Sequence, residues 1–531
     1  MAQKRRSIFF FPLVVLICSI LGGVYGPRIR VAAAASSDDV NDVDASAKSF
    51  TRVYAIVEQN FADKLDPDKA IYKGAIPGML RTLDPHSNFF DPHDFEALKD
   101  EQHGHYYGVG MTVQGRNGKT IVIAPFKGSP AYKAGIRPGD VINKVNGVTT
   151  DNLDTTKVAD MLKGPRGTPV DILILREGSL EALSFHVIRD EINRESVRDA
   201  FWIKPGIAYV EIEQFIENTG RDLQAALDKL GQNNIKGLVL DLRFNPGGLL
   251  NEGIAVADQF LNKGDVVVSH HGHASPEKIY YAQHGNHGRN YPIVVLVNHL
   301  SASAAEIVSG ALQDHDRAWI LGETTFGKGL VQTVFPLAEN TGLALTTYRY
   351  YTPSGRLIQR DYTNVSFFDY YYRNNTEARN DKDVKMTDSG RTVYGGGGIT
   401  PDEKYTPPKL DALESQLARK YAFFNFTKYY FGAHSSKLPD GWAPDNILMT
   451  EFHDWLLKQD IEFSEADFTK DHDFIKRALQ SNMYTTAFSV DESRRFDLQT
   501  DPMVEKAVES LPKAQALLDS VRKVMAQRMS H

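Results

Sequence analysis

The spacing of apolar positions divides this chain into four blocks. Phe50, Val53, Tyr54, Val57 and Phe61 recur at three- and four-residue steps, which predicts a helix, and residues 70–83 continue the pattern until Asp84-Pro85 stops it. From 104 to 189 the texture becomes short apolar runs between turn residues, predicting strands at 109–113, 120–124, 140–145 and 170–176. From 191 to 405 strand-like runs (207–212, 237–242, 266–269, 293–297, 319–321, 343–350) alternate with helical segments (220–230, 249–261, 304–313). Such alternation predicts an α/β layer built on a largely parallel sheet. Residues 408–531 are again mostly helical, with Trp455, Leu456 and Leu457 in the middle. The predicted organisation is α/β multidomain: a helical region (36–103), a β block with short helices (104–190), an α/β core (191–407) and a helical C-terminal region (408–531).

The first residues follow none of these patterns. Lys4, Arg5 and Arg6 precede an apolar stretch from Ile8 to about Val24, and small residues follow at 32–35. Charged start, apolar middle and small-residue end is the layout of a secretory signal, with an uncleaved N-terminal membrane anchor as the alternative. Either places the rest of the chain outside the cytoplasm, in a bacterial periplasm or cell envelope. The 531 residues contain one cysteine, Cys18, inside this leader, and Ile17 sits where a lipidation motif wants a small residue. Disulfide frameworks and Cys-based zinc sites are therefore excluded. Apolar residues make up 42% and charged residues 24%, a globular composition, and a net charge of −7 argues against nucleic acid as a partner.

Three segments of the α/β block carry chemistry, each at the end of a predicted strand, where open α/β sheets place their sites. In Asp241-Leu242-Arg243-Phe244-Asn245-Pro246-Gly247-Gly248, the glycines let backbone N–H groups face outward, as an oxyanion site requires. In Asn298-His299-Leu300-Ser301-Ala302-Ser303-Ala304-Ala305-Glu306, a serine stands at a strand-to-helix turn, where the helix dipole favours negative charge. In Gly322-Glu323-Thr324-Thr325-Phe326-Gly327-Lys328-Gly329-Leu330-Val331-Gln332, a lysine sits between two glycines. Taken singly, a lysine is commonly solvated and a serine before a helix is commonly an N-cap. Gly327-Lys328-Gly329 lacks P-loop spacing, and no G-N-S-G-G turn of a Ser-His-Asp protease is present. His270, His271, His273, His284 and His287 lack a carboxylate at a known ligand spacing, so neither a metal nor another cofactor is expected.

The β block resembles a PDZ domain through Tyr107-Gly108-Val109-Gly110-Met111 and the segment Ser129-Pro130-Ala131 to Gly139-Asp140-Val141-Ile142. That resemblance implies a loop, Tyr107, Gly108, Val109 and Gly110, which captures a peptide's C-terminal carboxylate while a strand edge takes the peptide as an added strand. Arg166, in Lys163-Gly164-Pro165-Arg166-Gly167, is a candidate sensor by motif analogy, and a solvated turn residue is the alternative.

From about Ala55 to Pro401 the chain resembles the C-terminal processing (tail-specific) proteases, the S41 family of serine peptidases, including Leu83-Asp84-Pro85-His86-Ser87 and Tyr350-Tyr351-Thr352-Pro353-Ser354-Gly355-Arg356. The resemblance implies a crotonase-like α/β core, with Ser303 as nucleophile beside Ser301, Lys328 as general base and Gln332 as its orienting partner. It implies catalytic support from Asp314 and an oxyanion hole of the Gly247, Gly248 and Ala304 N–H groups. Ala305 stands where the family often has Ser, and Phe244 where it commonly has a basic residue. Implied partners are protein or peptide substrates with a free C-terminus, and a second copy through the terminal helical regions. The alternative is a non-catalytic scaffold binding peptides or lipophilic ligands. A Ser-Lys pair works only if the amine is neutral, and burial disfavours its charged form; Phe326, Leu330 and Val331 are candidate walls.

Overall fold

The computed structural model describes residues 37–273, 275–363, 365–372 and 380–529. The leader expected from the sequence, with Cys18, lies outside them. The chain divides into two compact units, residues 1–79 and 80–531. In the first, the helix Ser37–Asn60 carries Phe50, Val53, Ile56 and Val57 on exposed positions. Among the described residues no helix is long and apolar enough to cross a membrane.

In the second unit, an antiparallel sheet runs in the order Met111–Arg116, Lys119–Pro125, Val141–Val145, Pro169–Leu175, Leu183–Ile188. Val122, Ile142, Ile172 and Ile174 point to its inner face, where the helix Thr155–Leu162 adds Val158 and Leu162. The first strand begins at Met111 rather than at 109, because Gly110 takes φ +75° and turns the chain. That strand is an edge, paired only with its hairpin partner.

The larger sheet runs Val197–Lys204, Ile207–Ile212, Gly237–Asp241, Ile293–Val297, Trp319–Gly322, Glu403–Lys404; the first pair is antiparallel and the rest are parallel. Gly237–Asp241 and Ile293–Val297 are buried at every position, which is why they read as unbroken apolar runs. Leu238, Leu240, Val295 and Val297 face the helices Thr219–Leu230, Leu250–Asp258 and Ala304–Asp314. Val239, Val294 and Leu296 point the other way, onto Leu498, Met503, Val504, Ala507 and Leu511. The C-terminal stretch thus contributes to two cores. Residues 413–483 pack among themselves, around Phe423, Phe426 and Phe452, whereas Val490–Gln499 and Pro502–Met529 cover the back of the parallel sheet.

Two of the predicted strands leave this layer. Val266–Gly272 and Gly342–Tyr351 join Asn88–Phe90, Ser275–Tyr281 and Leu330–Pro336 in a separate antiparallel sheet. Leu330–Pro336 and Gly342–Tyr351 follow each other across a short turn, too short for the crossover that parallel pairing needs.

Candidate active site

Ser303 stands where the loop after Ile293–Val297 enters the helix Ala304–Asp314. Its backbone is at φ 55°, ψ −113°, a region that L-residues avoid and that the surroundings must enforce. The enforcement is visible in the loop. Ser301, fully buried, donates its hydroxyl to Leu242 O at 2.7 Å and accepts the Asn298 N–H at 2.9 Å. The Ala302 N–H donates to Asn245 O at 2.9 Å, tying the serine loop to the glycine turn. Gly247 brings that turn against the serine: a Cβ on it would lie 2.6 Å from Ser303 Cβ and 2.7 Å from Ala302 O. At Gly248 a Cβ would lie 2.0 Å from Phe215 O. Both glycines also take positive φ.

Lys328 approaches from the other side. Glu306, in the first turn of the serine helix and fully buried, accepts four hydrogen bonds. Oε2 takes the N–H groups of Ser303 (2.8 Å) and Lys328 (2.9 Å); Oε1 takes the Gly327 N–H (2.7 Å) and the Thr325 hydroxyl (2.5 Å). One carboxylate therefore fixes both loops. Tyr350, also buried, reinforces the junction by donating its hydroxyl to the carbonyl oxygens of Ser303 and Lys328. Burial pushes the Lys328 amine below its ordinary value, against the opposing pull of Glu306 and Asp84.

Asp84 and His86, of the Asp84-Pro85-His86-Ser87 turn, lie near enough to Lys328 to interact with its charge. Asp84 accepts the N–H groups of His86 (2.7 Å) and Ser87 (2.8 Å) and the Ser87 hydroxyl (2.7 Å). Ser87 Oγ in turn accepts the Thr346 N–H at 3.1 Å, and Thr346 Oγ1 accepts the Gln332 amide at 3.2 Å. Gln332 follows a register shift between Val331 and Gln332, an irregularity of the kind that re-aims a side chain. His86 lies between the hydroxyls of Tyr370 (2.8 Å) and Tyr371 (3.1 Å). Burial above all lowers its pKa to about 3, so the ring is neutral.

A serine on a glycine-lined turn and a lysine whose amine burial pushes down, their backbones held by one buried carboxylate, are groups suited to acyl transfer. The profile of peptidase family S41 matches residues 206–365, and that of a PDZ domain matches 121–176. The carboxy-terminal-processing protease of Bartonella bacilliformis is 38% identical over 359 residues, which are 67% of this chain and 80% of that protein. The chain belongs to peptidase family S41. It is a serine-type endopeptidase of the carboxy-terminal-processing kind. The processing protease CtpB of Bacillus subtilis is 33% identical over 333 residues, 62% of this chain and 68% of CtpB. Among solved structures, the photosystem II D1 C-terminal processing protease is 29% identical, covers 66% of this chain and 86% of its own, and has a TM-score of 0.36.

Within this S41 peptidase, Asp314 and Gly247 have partners that the sequence did not announce. Asp314 stands at the far end of the serine helix, roughly 16 Å from Ser303 at 1.5 Å per residue. There it pairs with the fully buried Arg356 and accepts the N–H (3.0 Å) and hydroxyl (2.7 Å) of Ser354. Its carboxylate neutralises a buried arginine and touches no reacting group. The Gly247 N–H donates to Asn245 Oδ1 at 2.8 Å. Among the described residues, the Gly248 and Ala304 N–H groups have no such acceptor.

The histidines do not gather. His270 lies against Tyr280 and Tyr348, His271 stacks on Tyr351, and His284 pairs with Asp258. Arg166 is exposed and bonds Asp190 at 2.8 Å, the residue paired with Gly108 across a two-stranded ladder. In the PDZ loop, Tyr107 and Gly108 are in that ladder and Val109 is buried. Gly110 O is held by the Ser129 hydroxyl (2.7 Å) and the Phe126 N–H (3.0 Å). Single-sequence reasoning passed over Glu306, although Ser303-Ala304-Ala305-Glu306 has the S-x-x-E spacing of a capping box. It also gave no role to Tyr350, Asp84 or Ser87, whose partners are distant in sequence.

Proposed function

We propose that this protein acts outside the cytoplasm and cuts proteins whose free C-terminus its PDZ domain holds, by a Ser303–Lys328 mechanism. The observation that carries the reading is the shared Glu306 oxygen, which ties the serine and lysine loops together. A neutral Lys328 Nζ takes the proton of Ser303 Oγ as the oxygen attacks the scissile carbonyl. The Gly248 and Ala304 N–H groups stabilise the resulting oxyanion. Collapse breaks the C–N bond, and the proton on Lys328 leaves with the amine. Water then attacks the acyl-enzyme, giving a proton to Lys328, which passes it to Ser303 Oγ as the acyl C–O bond breaks and the new C-terminal acid leaves. Gln332 and the Asp84–Ser87–Thr346 chain support the lysine strand.

In the PDZ domain, the Val109 and Gly110 N–H groups receive the substrate carboxylate, and the edge strand Met111–Arg116 takes the peptide as an added strand facing the helix Thr155–Leu162. Arg166 acts from Asp190 as a sensor of that occupancy. The charged, apolar and small-residue pattern of residues 1–35 supports the extracytoplasmic setting.

The test is cleavage of a peptide with an apolar free C-terminus by the parent, Ser303→Ala and Lys328→Ala proteins, with a C-terminally amidated peptide alongside. The parent is expected to cut the free-acid peptide faster, and both variants to be inactive. Binding without turnover by the parent would instead make the protein a scaffold.

A further inference from the structure

The turn that carries the oxyanion glycines is held from behind by a residue far outside the S41 match. Asp241, at the end of its strand, and Arg243, two residues on, form a bidentate pair: Arg243 Nε lies 2.9 Å from Oδ2 and 3.0 Å from Oδ1, and a terminal nitrogen lies 2.7 Å from Oδ2. The opposite terminal nitrogen of Arg243 donates to Asp501 Oδ2 at 2.8 Å. All three side chains are largely buried, with exposures of 3%, 11% and 24% for Asp241, Arg243 and Asp501.

Asp501 does two things at once. Its Oδ1 accepts the Met503 and Val504 N–H groups at 2.7 and 3.3 Å and so caps the helix Pro502–Met529 that covers the sheet. Its Oδ2 holds Arg243. From Arg243 the connection to the site is short. Residues 242–245 form a turn closed by the Asn245 N–H on Leu242 O, and Phe244 in it takes φ +62°. Asn245 then accepts the Ala302 N–H at 2.9 Å, one residue before Ser303.

We propose that Asp501 is a positioning residue for catalysis: through Arg243 it sets the turn that places the Gly248 N–H and the Ser303 loop, so the C-terminal cover helix is part of the catalytic apparatus. This rests on the Ser303 and oxyanion reading above. Asp501→Asn separates the two roles, because asparagine caps a helix as well as aspartate does but presents an amide to Arg243. Asp501→Glu keeps the charge.

The experiment measures single-turnover acylation, kcat, KM and thermal stability for the full chain, using a free-acid peptide ester. Asp501→Asn is expected to lose about tenfold in acylation and kcat, with KM and melting temperature near the parent's, and Asp501→Glu to recover part of the loss. Asp445→Asn, which alters the cap of Asn446–Leu456 in the separate helical core, is expected to change neither rate. An Asp501→Asn protein that acylates at the parent's rate, or an equal loss in Asp445→Asn, would overturn the proposal. Ser303→Ala in the same assay keeps the two ideas apart: turnover there would refute the serine reading itself.

Discussion

Ser303 and Lys328 hang from a single oxygen atom. Their backbone N–H groups both donate to Glu306 Oε2, at 2.8 and 2.9 Å, and Glu306 itself is fully buried. The serine helix and the lysine loop are separate pieces of chain, and this carboxylate fixes their relative position without entering the chemistry. The other oxygen of the carboxylate, Oε1, anchors Gly327 and Thr325, so the approach of the lysine loop is set from the first turn of the serine helix.

Glu306→Gln replaces one oxygen by an amide nitrogen that must face either two N–H donors or an N–H and a hydroxyl. Leaving such groups buried and unpaired costs about 2–4 kcal/mol. Chemical denaturation should show that loss, and kcat should fall at least about a hundredfold in the fraction that remains folded.

The strained backbone of Ser303 makes a prediction that separates the hydroxyl from the loop. Ser303→Ala removes the nucleophile and keeps the strain at φ 55°, whereas Ser303→Gly removes both. Both should be inactive. The glycine variant should be more stable than the alanine variant by about 1 kcal/mol, read as a higher melting temperature.

Asp314 should behave as a structural residue. Replacing it with asparagine leaves the guanidinium of Arg356, fully buried, without its counter-ion, at a cost of about 3–5 kcal/mol. Activity per folded molecule, measured well below the unfolding transition, should remain close to the parent's.

The difference between Asp314 and Ser303 also shows what the sequence could reveal. Local signals visible in a window of ten residues, an apolar run ending in a turn or a pair of glycines, put Ser303 and Lys328 at strand ends, and their expected roles come from the resemblance to the S41 family. The role of Asp314 depends on Arg356, which meets it only through folding. Gly247 is a similar case, because the side chain that takes its N–H belongs to Asn245, in the same motif but in a geometry the letters do not state. The strands Gly237–Asp241 and Ile293–Val297 announce themselves as buried on both faces. Nothing in an unbroken apolar run says that one of those faces waits for a helix more than two hundred residues downstream.

His315 gives the clearest pH signature outside the site. Burial opposes charge on its ring, but Asp388 at 2.7 Å and the Val266 carbonyl at 2.7 Å outweigh it and raise the pKa to about 9. The folded state therefore holds a proton that the unfolded chain, near 6.5, gives up. That stabilisation is fully present below pH 6.5 and is lost as pH rises through 9. The stability gap between parent and His315→Ala should narrow by on the order of 3 kcal/mol across that window, measured by denaturant titration at pH 6 and pH 9.5.

The most direct measurement is to trap the covalent intermediate. The protein is mixed with a peptide ester of free C-terminus, quenched in acid within the first turnover and digested for mass spectrometry. The acyl group should be found on the fragment carrying Ser303 and should be absent from the Ser303→Ala and Lys328→Met proteins. An acyl group on any other residue, or cleavage that continues in Ser303→Ala, would contradict the Ser303–Lys328 mechanism.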